Sequence, residues 1–154
     1  MTARSAGGGP PPGRRPPASS ASVRARMVKQ RRRDTEPELL VRQILHARGV
    51  RYRVDSRPEP DLRCKADIIW KTWRLVVFID GCFWHGCPVH ATRPQANADW
   101  WAQKLDGNVQ RDRRMDSELA ARGWTVLRFW EHEEPRSVAD AICSALDDLR
   151  NART

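Results

Sequence analysis

This chain predicts an α/β domain, a small mixed sheet flanked by helices. Two short β-branched runs, Ala66–Trp70 (ADIIW) and Arg74–Asp80 (RLVVFID), are separated only by a tight connection at Lys71-Thr72-Trp73. A third apolar run, Trp124–Trp130 (WTVLRFW), follows a long stretch of helical composition. A strand, a helix and a strand in that order favour parallel neighbours joined by a right-handed crossover. A chain of 154 residues leaves room for a single core.

Taken in order, residues 1–25 form an arm rich in Gly, Pro, Ser and Arg that cannot bury a core, and the folded domain spans residues 26–154. Order is expected to begin near Met27–Asp34. Thr35 reads as an N-cap, Pro37 suits a first helical turn, and Glu38 completes a T-x-x-E capping box. Leu39, Leu40, Val41, Ile44 and Leu45 supply that helix's buried stripe, and Gly49 ends it. Val50–Val54 alternates as a strand. A helical region runs from about Asn97 to Arg122, with a candidate break at Gly107, and Gly123 closes it. Ser137 reads as the cap of a last helix with Val138, Ala141, Ile142, Ala145, Leu146 and Leu149 inward. Of the seven tryptophans, Trp70, Trp73, Trp124 and Trp130 fall on or beside strands and belong to the core.

The formal charge of +9 is unevenly placed. Residues 1–33 hold nine Lys/Arg and no acid, and the remaining 19 basic and 19 acidic residues balance. Such an arm attracts phosphates without choosing a site; a solvated tail with no task is the plainer reading. Four cysteines and no apolar leader predict a reducing cytoplasm, not a disulfide framework. No run approaches the roughly 18 apolar residues of a membrane span.

The chemistry concentrates in Asp80–His90, DGCFWHGCPVH, directly after the strand Leu75–Ile79. Cys82, Cys87 and His90 stand at C-x4-C-x2-H spacing, the soft donors of a structural zinc site. His132, two residues past WTVLRFW, is the candidate fourth ligand, because parallel strands would deliver it to the sheet edge that carries Cys82. Asp67 and Asp80 sit in or at the end of apolar β runs, where an ionised carboxylate is costly without a cation. Two carboxylates on adjacent strands suit Mg²⁺ and phosphodiester hydrolysis, with His85 as general base or as orienter of the attacking water. The plainer readings are an edge-strand surface residue for Asp67 and a turn former for Asp80. On its residues alone, Glu38 is explained by the helix cap. Phe83, Trp84, Trp100 and Trp101 near such a site suggest wedges that unstack base pairs. Lys104, Asn108, Arg111, Arg113 and Arg114 make a helix suited to phosphates and base edges, or simply a solvated face.

With these residues assembled, the chain resembles the very short patch repair (Vsr) endonucleases, bacterial enzymes that nick DNA at T·G mismatches left by deamination of 5-methylcytosine. The resemblance rests on RMVKQRRRDTEPELLVR, KADII, VVFIDGCFWHGCPVH, WWAQKLDGNVQRDRR and GWTVLRFWEHE, which together cover about residues 26–134. It implies a restriction-endonuclease-like fold of the PD-(D/E)-x-K type and Mg²⁺-dependent hydrolysis 5′ to the mismatched thymine. It further implies Asp67 as the metal-binding aspartate with the Ile79 carbonyl as companion, His85 beside the attacking water, and Glu38 as a catalytic-site acid. Phe83 and Trp84, with Met27 and one of Trp100 and Trp101, would be the intercalating wedge, and Lys104 and Asn108 the mismatch readers. Double-stranded DNA, mismatch-repair loading factors and a repair polymerase are the implied partners of a monomer in the bacterial cytoplasm, at the nucleoid. Asp80 departs from members with histidine at that place, and His132 from members with cysteine. No E-x-K pair follows Asp67 at the usual strand spacing. The alternatives are a restriction-like nuclease of other specificity and a zinc-stabilised DNA-binding module that does not cut. A carboxylate within an apolar strand at Asp67 favours an enzyme, because a binder gains nothing from a charge that repels phosphate.

Overall fold

The computed structural model describes residues 34–82, 87–89 and 96–154. The basic arm over 1–25, Met27, Phe83, Trp84, His85 and His90 lie outside the described residues. The described chain runs α1 (Glu36–Ala47), β1 (Arg53–Ser56), β2 (Ala66–Trp70), β3 (Leu75–Asp80), α2 (Ala98–Ala121), β4 (Thr125–Trp130) and α3 (Pro135–Asn151).

The strands form one sheet in the order β1-β2-β3-β4. β1 with β2 and β2 with β3 are antiparallel, and β3 with β4 is parallel in the register Leu75↔Thr125 to Asp80↔Trp130. The β3–α2–β4 crossover thus has the expected parallel outcome. Every residue of β3 is buried, the pattern of a strand covered on both faces. Leu75, Val77 and Ile79 pack with Val41 and Leu45 of α1 and with Val138, Ile142 and Leu146 of α3. Val76 and Phe78 pack on the other face with Leu119 of α2 and with Trp124. The sheet is therefore a middle layer between α1/α3 and α2. Among the described residues, no helix is long and apolar enough to cross a membrane.

Both α1 and α2 end in the same way. Gly49 at φ +77° and Gly123 at φ +86° take the left-handed conformation that glycine adopts at least cost. The Gly123 N–H reaches the Ala120 carbonyl, and the Trp124 N–H reaches Leu119, each at 3.0 Å. The pair makes a Schellman motif, and the Trp124–Leu119 contact belongs to the core.

Several local expectations need correcting. α2 runs without a break through Gly107, where a Cβ would meet nothing within 4 Å. A lone glycine costs about 1 kcal/mol in a helix, which the packing of Trp101, Leu105 and Leu119 outweighs. Leu39 and Leu40 are each 39% exposed, so the inward stripe of α1 is the narrower Val41–Leu45 seam. The capping box is not closed: Thr35 makes no side-chain cap bond, and Glu38 Oε2 accepts the N–H of Asp34, one residue upstream, at 3.1 Å. α3 is capped by Glu134, not Ser137. The Glu134 carboxylate accepts the N–H groups of Arg136 and Ser137, which lets Pro135 open the helix. Ala141 faces solvent and Ala139 is buried in its place. Trp70 and Trp124 are buried, whereas Trp73 and Trp130 are only half-buried.

Candidate active site

The first constellation lies where β2 and β3 leave the core. Asp67, the second residue of β2, directs Oδ2 at the Ile79 backbone N–H, 2.6 Å away. The Glu131 N–H bonds the Asp80 carbonyl at 2.9 Å, so the backbone polar groups of Asp80 face β4. Strand alternation then turns those of Ile79 the other way, towards β2, and leaves the Ile79 carbonyl on the same side as the Asp67 carboxylate. Asp67 is half-buried, and its proton affinity responds. Burial first, then the charges of Glu38 and Asp80, push its pKa up to about 7, against the Ile79 N–H and Arg42.

Glu38 is 3% exposed on the first turn of α1. Its Oε2 accepts from Arg42 Nη2 at 3.1 Å, and Arg42 Nη1 holds Asp34 Oδ1 at 2.7 Å. Burial pushes the Glu38 carboxyl up, against the opposing pull of Thr35 and Arg42. Arg42 Nε is buried without a hydrogen-bond partner among the described residues. The structure thus brings Glu38, Asp67 and Asp80 to one place although they are far apart in sequence, with Arg42 beside them.

Asp80 is paired with a second arginine, as Glu38 is with Arg42. Both its carboxylate oxygens accept from Arg128 Nη1, each at 3.1 Å. Arg128 lies on β4, Nε donates to both oxygens of Asp116 at 2.8 Å, and Nη2 is 3.9 Å from Asp112. Its guanidinium carbon stands 4.2 Å from the centre of the Phe78 ring. Sequence reading missed Arg42 and Arg128. An arginine at helical spacing i+4 from a candidate acid (Arg42 after Glu38), or in a strand that otherwise reads as apolar (Arg128), was the signal available for each.

The second constellation is soft. Cys82, Cys87 and His132 offer ligand atoms that all lie within 4.8 Å of one another. His132 Nδ1 is 3.2 Å from Cys82 Sγ and 3.8 Å from Cys87 Sγ. The parallel register explains the meeting: Asp80 pairs with Trp130, so the residues two beyond each strand, Cys82 and His132, arrive together. The Cys82 N–H is fixed by Glu131 Oε1 at 3.1 Å, and the Cys87 N–H by the Cys82 carbonyl at 3.0 Å. Burial and the adjoining Cys87 thiol push Cys82 up to about 11. Two buried sulfurs and an imidazole fit a tetrahedral, borderline-soft ion.

α2 carries the remaining candidates. Lys104 and Arg111 are exposed, Asn108 and Trp100 are half-buried, and Trp101 is buried with 5% exposure. Trp100 meets Trp101 edge-on at 4.9 Å between ring centres. A buried Trp101 leaves Trp100 as the member of that pair able to reach outward.

Comparison with known proteins agrees along most of the chain. The family model described as DNA mismatch endonuclease Vsr matches residues 19–90. The type II nicking enzyme V.NaeI of Lentzea aerocolonigenes is 42% identical over 127 residues, which cover 81% of this chain and 75% of the relative. The type II nicking enzyme V.XorIIP of Xanthomonas oryzae pv. oryzae is 40% identical over 111 residues, or 70% of this chain and 77% of the relative. The DNA mismatch endonuclease Vsr of Escherichia coli is 35% identical over 100 residues, 64% of this chain and 62% of the relative.

Proposed function

The chain belongs to the Vsr family of DNA endonucleases, and from that membership we propose that it nicks one strand of duplex DNA 5′ to the thymine of a T·G mismatch. The observation that carries this reading is the meeting of buried Glu38 and Asp80 with half-buried Asp67, whose proton affinity is pushed up to about 7. Three carboxylates against Arg42 and Arg128 leave negative charge over, and a hard divalent cation with oxygen ligands is the group that offsets it. Asp67 and the Ile79 carbonyl would hold Mg²⁺. That ion, when bound, supplies charge neutralisation at the phosphate and lowers the pKa of the attacking water.

The chain's own residues do the rest. His85 takes the proton of the attacking water, and Glu38, anchored by Arg42, completes the acidic wall of the site. Asp80, held by Arg128, contributes charge and position without ligating the metal. Met27, Phe83, Trp84 and Trp100 enter the stack at the mismatch, where unstacking is least costly. Lys104 and Asn108 read the mismatched bases, and Arg111 contacts phosphate. Cys82, Cys87, His90 and His132 hold a structural Zn²⁺ that fixes the aromatic loop to the ends of β3 and β4. The domain over residues 26–154 is of the restriction-endonuclease type, without the lysine of the PD-(D/E)-x-K signature. It acts as a monomer in the bacterial cytoplasm, where loading factors and a repair polymerase complete the repair.

A second reading has a specific observation behind it. The relatives V.NaeI and V.XorIIP are named type II nicking enzymes, which favours a nick within a particular flanking sequence. One experiment separates the readings: nicking of paired duplexes bearing T·G or T·A, in several flanking sequences, with Mg²⁺ and with EDTA. Mg²⁺-dependent cutting 5′ to the mismatched T in every context supports general mismatch repair. Cutting of T·G in one context only supports the narrower enzyme, and cutting of both duplexes overturns mismatch specificity.

A further inference from the structure

We propose that Arg128 is a positioning residue that clamps the DNA-reading helix α2 onto the catalytic strand, so that base recognition and the carboxylates share one register. The inference rests on the reading of Lys104 and Asn108 given above, and adds to it how that face of α2 is aimed.

The geometry is a ridge and a clamp. Lys104, Asn108, Asp112 and Asp116 are spaced four residues apart on the single unbroken helix Ala98–Ala121, and so lie along one i±4 row. Lys104 is exposed, whereas Asn108, Asp112 and Asp116 are half-buried, so the row descends onto the protein towards its C-terminal end. There Arg128 meets it: Nε bridges both oxygens of Asp116 at 2.8 Å, and Nη2 lies 3.9 Å from Asp112. The same guanidinium holds Asp80 at 3.1 Å through Nη1, and Asp80 is the last residue of β3 and an immediate electrostatic neighbour of Asp67.

A planar fork with fixed donors suits this task. Each edge of the guanidinium is committed to a different element, and the Phe78 ring, 4.2 Å away, limits its motion. The ionic contacts therefore add to the packing of α2 a directional restraint on its rotation and on its height along β4. A helix is stiff over two turns, so setting Asp112 and Asp116 also sets Asn108 and Lys104 relative to Asp67. Trp101 and Leu105 are buried on the first half of α2 and Leu119 packs with Trp124 at its far end; the clamp adds to this apolar packing a directional tie to β3 and β4.

The test uses the full chain carrying Asp112→Asn and Asp116→Asn together, which frees α2 while leaving the Asp80–Arg128 pair in place. Arg128→Lys is the companion variant, since it keeps the charge and loses the fork. Asp61→Asn is the control: it breaks the exposed Arg122–Asp61 pair near the end of α2, outside the clamp. Single-turnover nicking, duplex affinity and backbone hydrogen exchange of the free protein are measured on each. Both clamp variants should lose about tenfold to a hundredfold in nicking rate at saturating protein, the scale of a misplacement of about 1 Å. Duplex affinity should change less than about threefold, and exchange should quicken in residues 98–112 while β4 and α3 stay protected. The control should match the unaltered chain.

Unchanged exchange over residues 98–112 in both clamp variants overturns the clamp, whatever the enzyme cuts. An equal fall in affinity and rate overturns it too, because that pattern reports lost DNA contact and not lost alignment. If the unaltered protein fails on T·G duplexes and nicks another substrate, the proposed specificity falls. The rate comparison then moves to that substrate, and the clamp is still decided. If it nicks nothing, the exchange result alone decides it.

Discussion

The Asp67 carboxylate sits on the Ile79 N–H at 2.6 Å, across the antiparallel β2–β3 pair. That single bond ties a side chain of β2 to the backbone of β3, on the edge of Ile79 that faces β2. It also leaves a half-buried carboxylate beside those of Glu38 and Asp80, a placement that stability alone does not reward.

Replacing Asp67 by Asn should therefore separate chemistry from binding. Nicking of a T·G duplex should fall by at least about a thousandfold, several kcal/mol of lost transition-state stabilisation. Duplex affinity should stay within about threefold, since Asn keeps the shape and removes a charge that repels phosphate. Cleavage at the original rate in this variant would remove Asp67 from the metal site.

The same residue predicts an unusual pH dependence. Its folded pKa of about 7 lies above the unfolded value near 3.8, so between those values the folded chain binds the extra proton. That part of the stability is fully present at low pH, is lost as pH rises towards 7, and changes no further above it. Mg²⁺ should reverse the loss by favouring the carboxylate. Melting temperatures taken from about pH 5 to 8, with and without Mg²⁺, should show a metal increment that grows with pH. The increment should vanish in Asp67→Asn. An increment that is flat with pH, or that survives the substitution, would place the cation elsewhere.

Much of this arrangement was readable from the sequence, and the rest was not for identifiable reasons. The β-branched runs gave β2 and β3, and the length of the α2 segment gave the crossover that makes β3 and β4 parallel. From that parallelism alone His132 could be sent to the edge holding Cys82, where it stands 3.2 Å from the sulfur. Hidden were the counter-charges. Arg128 looks like an outward strand residue until β4 is placed beside Asp80 and α2 is folded over it, a matter of tertiary contact between residues 48 apart. Glu38 carries two meanings in sequence, cap and site acid. Only the turn of its side chain towards Asp34 and Arg42 shows that the N-cap bond is not made. The shape of α1 was missed for a simpler reason: five apolar residues are more than its narrow contact with α3 can cover, so Leu39 and Leu40 are left half-exposed.

The Cys82–Cys87–His132 cluster predicts a specific metal response. The purified protein should carry one Zn²⁺ per chain by elemental analysis, and Cys87→Ala should lose it, with a large fall in melting temperature. His132→Cys should keep it, because thiolate replaces imidazole readily at a tetrahedral site. Stoichiometric zinc in Cys87→Ala would show that the ion, if bound, is held by other residues.

Gly123 offers a test of the fold independent of the site. At φ +86° an alanine would be strained by roughly 1–2 kcal/mol. The space itself is open, since a Cβ would stand 3.7 Å from Arg74 Nη1. Gly123→Ala should lower the melting temperature by several degrees, whereas Gly107→Ala, inside α2, should leave it unchanged or raise it slightly. Equal effects at the two positions would mean that the left-handed cap of α2 is not what holds the Leu119–Trp124 contact.

The N-terminal arm yields the last prediction. Residues 1–25 hold four arginines and no acid, while residues 34–154 are formally neutral. If the arm contacts DNA, its contribution is counterion release, which depends on salt and not on sequence. Each phosphate neutralised contributes about 0.9 to the slope of log affinity against log salt, so four arginines set an upper bound of roughly 3 to 4. Deleting residues 1–25 should therefore flatten that slope, weaken binding strongly at low salt and only slightly at high salt. It should leave the ratio of T·G to T·A nicking as it was, because an arm that touches only phosphates cannot discriminate bases. An unchanged slope would make the arm a solvated tail. A changed ratio would mean that it reaches the bases, as a basic segment laid in a minor groove can.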